Sequence, residues 1–182
     1  MASLAKVRNV YWDACAWLGL VSKESRKLRE LEIVWKMAER GEVQIWTSTL
    51  SLAEVYKTRC EKKLSHLLPE HDALIDNMFD QSFVKKIQVD TEVARLAKTL
   101  ARTHELLKKP TDAIHLASAI LWNLDEIHTY DGSDLLHLDG QIKRDDGDFL
   151  KICIPDNLTD GALFAGKKDI REPEVAKAQK VD

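Results

Sequence analysis

The chain has 182 residues, of which 45% are hydrophobic and 31% are charged, a composition typical of one well-packed soluble domain. Its formal net charge of −3 and its sequence pI of about 6.1 exclude the strongly basic footprint of proteins that hold nucleic acid by bulk electrostatics. A ligand that carries phosphate would therefore need local help from a metal ion, helix N-termini or a few Lys and Arg side chains.

The cysteines and the apolar segments bear on where the protein works. Cys15, Cys60 and Cys153 show neither CxxC nor Cys/His spacing, so we expect no disulfide framework and no zinc site. No apolar run approaches the roughly 18 residues of a membrane span, and the N-terminal MASLAKVRNVYWD lacks the apolar stretch of a secretory signal. We therefore expect a cytoplasmic protein without a membrane partner.

The N-terminal part of the chain predicts two strands, each followed by helices. β-Branched and aromatic residues before Asp13 indicate a short buried strand that breaks into a helix at this residue. Apolar residues at helical spacing then predict a second helix, which ends at Gly41. The segment EVQIWTS predicts the second strand, and Ser48 or Thr49 is expected to cap a helix over residues 50–64.

The remainder continues the alternation. A helix is predicted from Pro69 to Phe79, then a strand in SFVKKIQVD and a helix capped by Thr91. Another helix is predicted over residues 112–124, followed by strands in DEIHTYD and FLKICIP. Strands that alternate with helices and show few hairpin signals favour a parallel sheet between helical layers, so the predicted class is α/β.

We expect the chain to contain one folded domain and a C-terminal segment. The domain is expected to span residues 1–156, because the last predicted strand ends there. Residues 157–182 are mostly polar after Phe164 and are expected to form an extension or a loose tail.

Five acidic residues are predicted to lie at one edge of this sheet. Asp13 ends the first strand, Glu54 follows the second, Asp112 starts the helix before the next strand, and Asp131 and Asp134 follow that strand. Open parallel sheets bind ligands at the carboxyl ends of their strands, where loops and helix N-termini converge. The acids therefore mark a candidate site.

Carboxylates that are packed closely repel one another, which raises some of their pKa values and destabilises the fold unless a cation is bound. Oxygen ligands without His or Cys suit Mg²⁺ or Mn²⁺. Such ions keep waters, can activate one as a nucleophile and can stabilise charge on a leaving oxygen. The acids therefore predict metal-dependent hydrolysis of a phosphodiester.

Four segments, VYWDACAWLGL, TSTLSLAEVYK, PTDAIHLASAI and IHTYDGSDL, occur in this order. They resemble the four motifs of the PIN domain nucleases, and within that family the ribonuclease toxins of VapBC toxin-antitoxin pairs. The resemblance extends over about residues 7–155 and implies a three-layer α/β/α fold with a central, mainly parallel sheet. It also implies metal-dependent endoribonuclease activity on an RNA substrate, a homodimer, and inhibition by a small antitoxin protein.

Carried over by motif, the resemblance implies that Asp13, Glu54, Asp112 and Asp131 are the catalytic, metal-coordinating acids. Asp134 could share or replace the role of Asp131, because DGSD offers two acids at this motif. In the second motif, Ser48 is a candidate polar neighbour of the site.

Other readings of these residues stay open at the level of the sequence. Asp112 could be an ordinary charge at a helix N-terminus, and Asp131 and Asp134 could be turn formers. His115 invites a role as an acid or base, but a packed or hydrogen-bonded core histidine is the favoured reading.

Three other kinds of protein are alternatives to a nuclease. A phosphatase of the haloacid dehalogenase kind would need a second Asp where Cys15 stands, and a receiver domain would need an acidic pair near the first strand. The alternative without catalysis is a silent PIN-like module that binds RNA or protein, although such a module has no reason to retain four mutually repelling acids.

Overall fold

A computed structural model describes residues 7–55, 57–60, 63–66 and 69–155 of the chain. The predicted C-terminal extension, residues 157–182, lies outside the described residues. No helix among the described residues is long and apolar enough to cross a membrane.

A five-stranded sheet, parallel throughout, forms the centre of the fold, so the predicted α/β class is confirmed. Its strand order is β5-β2-β1-β6-β7, and a separate two-stranded antiparallel sheet pairs β3 with β4. The strands in chain order are β1 (Arg8–Trp12), β2 (Val43–Ser48), β3 (Lys57–Cys60), β4 (Lys63–His66), β5 (Val84–Ile87), β6 (Glu126–His128) and β7 (Lys151–Cys153).

Helices cover both faces of the parallel sheet. They are α1 (Ala14–Val21), α2 (Leu28–Glu39), α3 (Thr49–Glu54), α4 (Pro69–Phe79), α5 (Thr91–Thr103) and α6 (Pro110–Leu121), with one 3₁₀ turn at Leu136–Leu138. Side chains of β1 alternate between the two faces. Val10 and Trp12 pack with α1, α2 and α4, whereas Tyr11 packs with α5 and α6 on the other face.

The ends of two helices show how local residues set the element boundaries. After α2, Gly41 has a φ of +75°, the left-handed conformation that glycine adopts without steric cost, as the sequence predicted. The N-cap of α5 is Asp90 rather than the predicted Thr91. The Asp90 carboxylate accepts hydrogen bonds from the backbone N–H groups of Glu92 and Val93, whereas Thr91 is already the first helical residue.

The predicted helix over residues 50–64 is wrong. Its first part is the short helix α3, and β3 and β4 then pair as an antiparallel hairpin. Ser48 occupies the N-cap position of α3, but its side chain does not make the predicted capping hydrogen bond. Lys, Glu and Leu have good helix propensities, so this stretch favoured a helix, but propensity is a weak prior that tertiary context overrides.

Candidate metal centre

The candidate site lies at the carboxyl edge of the central strands. Asp13 follows β1 directly, and Asp131 lies a short loop beyond the end of the neighbouring strand β6. Asp112 sits in the first turn of α6. Because β1 and β6 run parallel and adjacent, their ends meet at one edge, as the sequence predicted.

Three of the five predicted acids form one cluster. Asp112, Asp131 and Asp134 each offer a carboxylate oxygen, and these oxygens lie within 4.8 Å of one another. Asp112 and Asp134 are buried and Asp131 is half-buried. Asp13 and Glu54 lie outside this cluster, so the structure brings together the acids of the third and fourth motifs.

The loop after β6 fixes Asp131 by hydrogen bonds to one of its two carboxylate oxygens. Oδ1 of Asp131 accepts the backbone N–H of Ser133 at 2.9 Å, the Ser133 hydroxyl at 2.7 Å and the backbone N–H of Asp134 at 3.0 Å. Burial opposes ionisation, but these hydrogen bonds and one from Lys109 lower the pKa of Asp131 to about 2. The carboxylate is held charged, and its Oδ2 forms an ion pair with Lys109.

Asp112 is in the opposite situation. Its Oδ2 is buried and accepts no hydrogen bond from any described residue. Burial raises the pKa of Asp112 to about 6, and the neighbouring charge of Asp131 adds to this, although Lys109 acts in the other direction. A buried carboxylate oxygen without a hydrogen-bond donor is unusual in a folded protein and indicates a place for a cation.

A lysine that the sequence analysis did not single out contacts all three acids. Nζ of Lys109 lies 3.1 Å from Oδ2 of Asp131 and 3.6 Å from Oδ2 of Asp112, and it forms a short ion pair with Oδ2 of Asp134. Lys109 is the N-cap residue of α6, where a positive charge opposes the helix dipole and the side chain cannot cap. In the sequence KKPTD, a positive charge directly before the start of the helix is the feature that could have indicated Lys109.

Both carboxylate oxygens of Asp13 accept hydrogen bonds. Oδ1 caps α1 by accepting the backbone N–H of Ala16 at 2.9 Å, and Oδ2 accepts a hydrogen bond from the Thr129 hydroxyl beyond β6. The side chain is 3% exposed, and this burial raises the pKa of Asp13. The charge of Asp131 raises it further, so Asp13 belongs to the same electrostatic site although it is outside the cluster.

Glu54 is joined to the core by a chain of hydrogen bonds. Its Oε2 accepts from Nε2 of His115 at 2.8 Å, and Nδ1 of that ring lies 2.7 Å from the hydroxyl of Tyr11. The Tyr11 oxygen accepts the backbone N–H of Ser48 at 3.2 Å. His115 is therefore the buried, hydrogen-bonded histidine that the sequence favoured. Burial opposes its charged form, but Tyr11, Glu54 and Asp13 raise the pKa of His115 to about 10.

The cluster fits a hard divalent cation. Its donors are carboxylate oxygens, which Mg²⁺ and Mn²⁺ prefer, and three carboxylates leave positions for water and substrate. Oδ2 of Asp112 accepts no hydrogen bond from the described residues, and its ion pair with Nζ of Lys109 is a long one at 3.6 Å.

A second group of potential ligands, Glu126, His128 and Cys153, lies on β6 and β7. Nε1–H of Trp12 donates to Nδ1 of His128, so the ring proton of a neutral His128 is on Nε2, which contacts Glu126 at 3.0 Å. A protonated Nε2 has no lone pair for a metal. Glu126 also pairs with Arg8 at 2.9 Å, so this group is a hydrogen-bonded ion-pair network.

Comparison with known families identifies the class of the protein. Residues 10–140 match the family model for the PIN domain. That range covers more than half of the chain and contains the cluster, Asp13 and Glu54. The chain belongs to the PIN domain family.

Solved structures of similar fold come from toxin-antitoxin systems. The VapC20 toxin of Mycobacterium tuberculosis, described as cleaving the sarcin-ricin loop, is 17% identical with a TM-score of 0.53, over 68% of this chain and 90% of that one. A toxin-antitoxin complex from Klebsiella pneumoniae is 22% identical with a TM-score of 0.52, over 82% and 99%. VapBC2 of Rickettsia felis, bound to a promoter DNA fragment, is 13% identical with a TM-score of 0.52, over 81% and 99%. Among curated protein sequences no significant match is found.

Proposed function

We propose that the protein is a metal-dependent endoribonuclease, in which Asp13, Glu54, Asp112 and Asp131 are the catalytic acids. Asp112, Asp131 and Asp134 hold a Mg²⁺ or Mn²⁺ ion in this proposal. The observation that carries it is the convergence of three carboxylates, together with the buried Oδ2 of Asp112, which accepts no hydrogen bond from the described residues. Carboxylates packed this closely raise one another's pKa values unless a cation offsets their charge.

When bound, the ion supplies an activated water and stabilises negative charge on the leaving oxygen of the phosphodiester. The chain's own residues have distinct roles. Asp131 is kept ionised by Ser133 and the backbone, so it is ready to bind a cation at neutral pH. Glu54 is oriented by His115, and Asp13 is oriented by Thr129 and by the backbone N–H of Ala16 at the N-terminus of α1.

We further propose that the protein is the toxin of a toxin-antitoxin pair. This is supported by the family and by the similar folds of toxins from such systems. A small antitoxin protein would be its partner, RNA its substrate and the cytoplasm its place of action. Homodimerisation, and a nuclease domain over residues 1–156 with an extension over 157–182, complete the proposal and rest on resemblance and on the sequence.

One observation favours a second candidate, a catalytically silent PIN-like module that binds RNA or protein. Lys109 already pairs with all three acids of the cluster, so the acids could persist as a structural ion-pair group without any metal. The two candidates differ in RNA cleavage, because only the nuclease needs a divalent ion in the cluster for catalysis.

The test is cleavage of a mixed cellular RNA pool by the purified protein with Mn²⁺ or Mg²⁺ and with EDTA, alongside Asp112→Asn. We expect cleavage that needs the metal and is lost in the variant, while the metal-free variant is at least as stable as the wild type because a buried charge is removed. A folded protein that binds Mn²⁺ and RNA without cutting any RNA offered would contradict the nuclease and favour the binding module.

A further inference from the structure

We propose that Lys109 is the site's own counter-cation, which offsets part of the negative charge of the three clustered carboxylates in the metal-free protein and must leave them when a divalent ion binds. The inference rests on the proposed function, since it requires a metal at this site. It adds a residue outside the acidic motifs that controls how readily the site takes up its ion.

The contacts of Lys109 support this role directly. Its ammonium contacts one carboxylate oxygen, Oδ2, of each of Asp112, Asp131 and Asp134, the three residues of the cluster. Oδ1 of Asp131 is already taken up by Ser133 and Asp134. An ion that binds this cluster therefore competes with Nζ for the same oxygens, and two cations sharing them would repel strongly in a half-buried site.

The position of Lys109 allows the ammonium to leave without disturbing the fold. Its side chain is 52% exposed, although the acids that it contacts are 9–16% exposed. Its backbone is extended, as expected for the residue before a proline, and Pro110 begins α6 whether or not the side chain is bound. The lysine side chain can therefore swing towards solvent while Asp112 stays fixed on the helix.

The helix dipole makes a lysine at the N-cap of α6 unfavourable unless other contacts of its side chain compensate. A cation at a helix N-terminus is unfavourable, whereas Ser, Thr, Asp or Asn would cap α6. Asp112 lies in the first turn of the same helix and already complements the dipole. Lys109 is thus accounted for by the carboxylates opposite it and by nothing in the helix itself.

The experiment is calorimetric titration of Mn²⁺ into the full chain for wild type, Lys109→Met and Lys108→Met at fixed pH and low salt. Lys108 is the exposed neighbour, for which no ion pair is found in the described part of the chain, so its variant changes net charge equally. We expect Lys109→Met to bind Mn²⁺ roughly tenfold more tightly than wild type, because its competitor is gone, and Lys108→Met to bind as wild type does.

A second readout is thermal unfolding in EDTA. We expect the metal-free Lys109→Met protein to have a lower melting temperature than Lys108→Met, because the acids lose their counter-charge. Mn²⁺ should raise the melting temperature of Lys109→Met again. Lys109→Arg keeps the charge and should bind Mn²⁺ no more tightly than wild type. If Lys109→Met does not fold, Lys109→Gln provides the same comparison.

The outcomes separate this inference from the proposed function. Equal or weaker Mn²⁺ binding by folded Lys109→Met, with normal binding by wild type, would overturn the counter-cation role and leave the metal site intact. A wild-type protein that binds no Mn²⁺ would overturn the metal-dependent nuclease as well.

Discussion

Oε2 of Glu54 accepts a hydrogen bond from Nε2 of His115 at 2.8 Å, although the two residues are 61 positions apart in the chain. This contact joins the short helix after β2 to the helix that carries Asp112. It also places a carboxylate of the second motif against a fully buried ring, whose other nitrogen is bonded to Tyr11. The orientation of Glu54 therefore depends on the core.

We predict that His115→Leu lowers the free energy of unfolding by about 2 kcal/mol, because the buried Tyr11 hydroxyl and the half-buried Glu54 carboxylate both lose a hydrogen bond. Tyr11→Phe removes only the hydroxyl and should cost about 1 kcal/mol. The double variant should cost less than the sum of the two, by about 1 kcal/mol, since both changes break one network. Urea unfolding of the four proteins measures this, and strict additivity would contradict a shared network.

Two substitutions of Asp13 separate its structural role from its proposed catalytic role. Asp13→Asn keeps a side chain that can cap α1 and should unfold like the wild type, yet we expect RNA cleavage to be lost. Asp13→Ala removes the cap and the acceptor for Thr129, and should lower the free energy of unfolding by about 1–2 kcal/mol. Cleavage by Asp13→Asn at the wild-type rate would leave Asp13 with a structural role alone.

The ion-pair network around Glu126 should make stability depend on acid pH. Burial opposes ionisation of Glu126, but His128, Arg8 and Lys151 outweigh it and lower its pKa from 4.5 to about 2. Because the folded pKa lies below the unfolded value, the stabilisation is complete above pH 4.5 and is lost as the pH falls towards 2.

We therefore expect Glu126→Gln to be about 2 kcal/mol less stable than wild type at pH 7, and this difference to shrink by pH 3. Denaturant unfolding at both pH values tests this. Glu32→Gln, at an exposed position of α2, serves as the control and should leave stability unchanged. A difference that stays constant between the two pH values would contradict the assignment.

The turn after α2 allows a test of backbone conformation that is independent of contacts. A Cβ at Gly41 would meet no atom within 4 Å, so Gly41→Ala can cost only the strain of its positive φ, about 1 kcal/mol. Gly132 is equally open, and its φ is not in that region, so Gly132→Ala is the matched control. Equal melting temperatures for the two variants would show that the φ carries no cost.

The sequence predicted the elements that depend on local chemistry. The break of β1 at Asp13, the start of α4 at Pro69 and the end of α2 before Gly41 each follow from one residue's preference. The hairpin of β3 and β4 could not be predicted in this way, because its residues have helix-compatible propensities and no Asn-Gly or Asp-Gly turn marks it.

In the candidate site, too, some features could be predicted from the sequence and others could not. The order of the motifs predicted which acids lie at the sheet edge, and the structure groups Asp112, Asp131 and Asp134. The motifs did not predict the contacts of Lys109, because its three partners come from the helix beside it and from a loop after β6. Such contacts exist only once α6 and the loop after β6 have come together in the fold.

The pairing of β1 with β6 also determines when the site can form. Asp13 and Thr129 are 116 residues apart, and Asp131 and Asp134 lie still later in the chain. A chain that is still being synthesised can contain Asp13, Glu54 and Asp112 but not the loop that completes the cluster. Under the proposed function, a ribosome that is making this protein carries an inert nascent chain until nearly the whole domain has emerged.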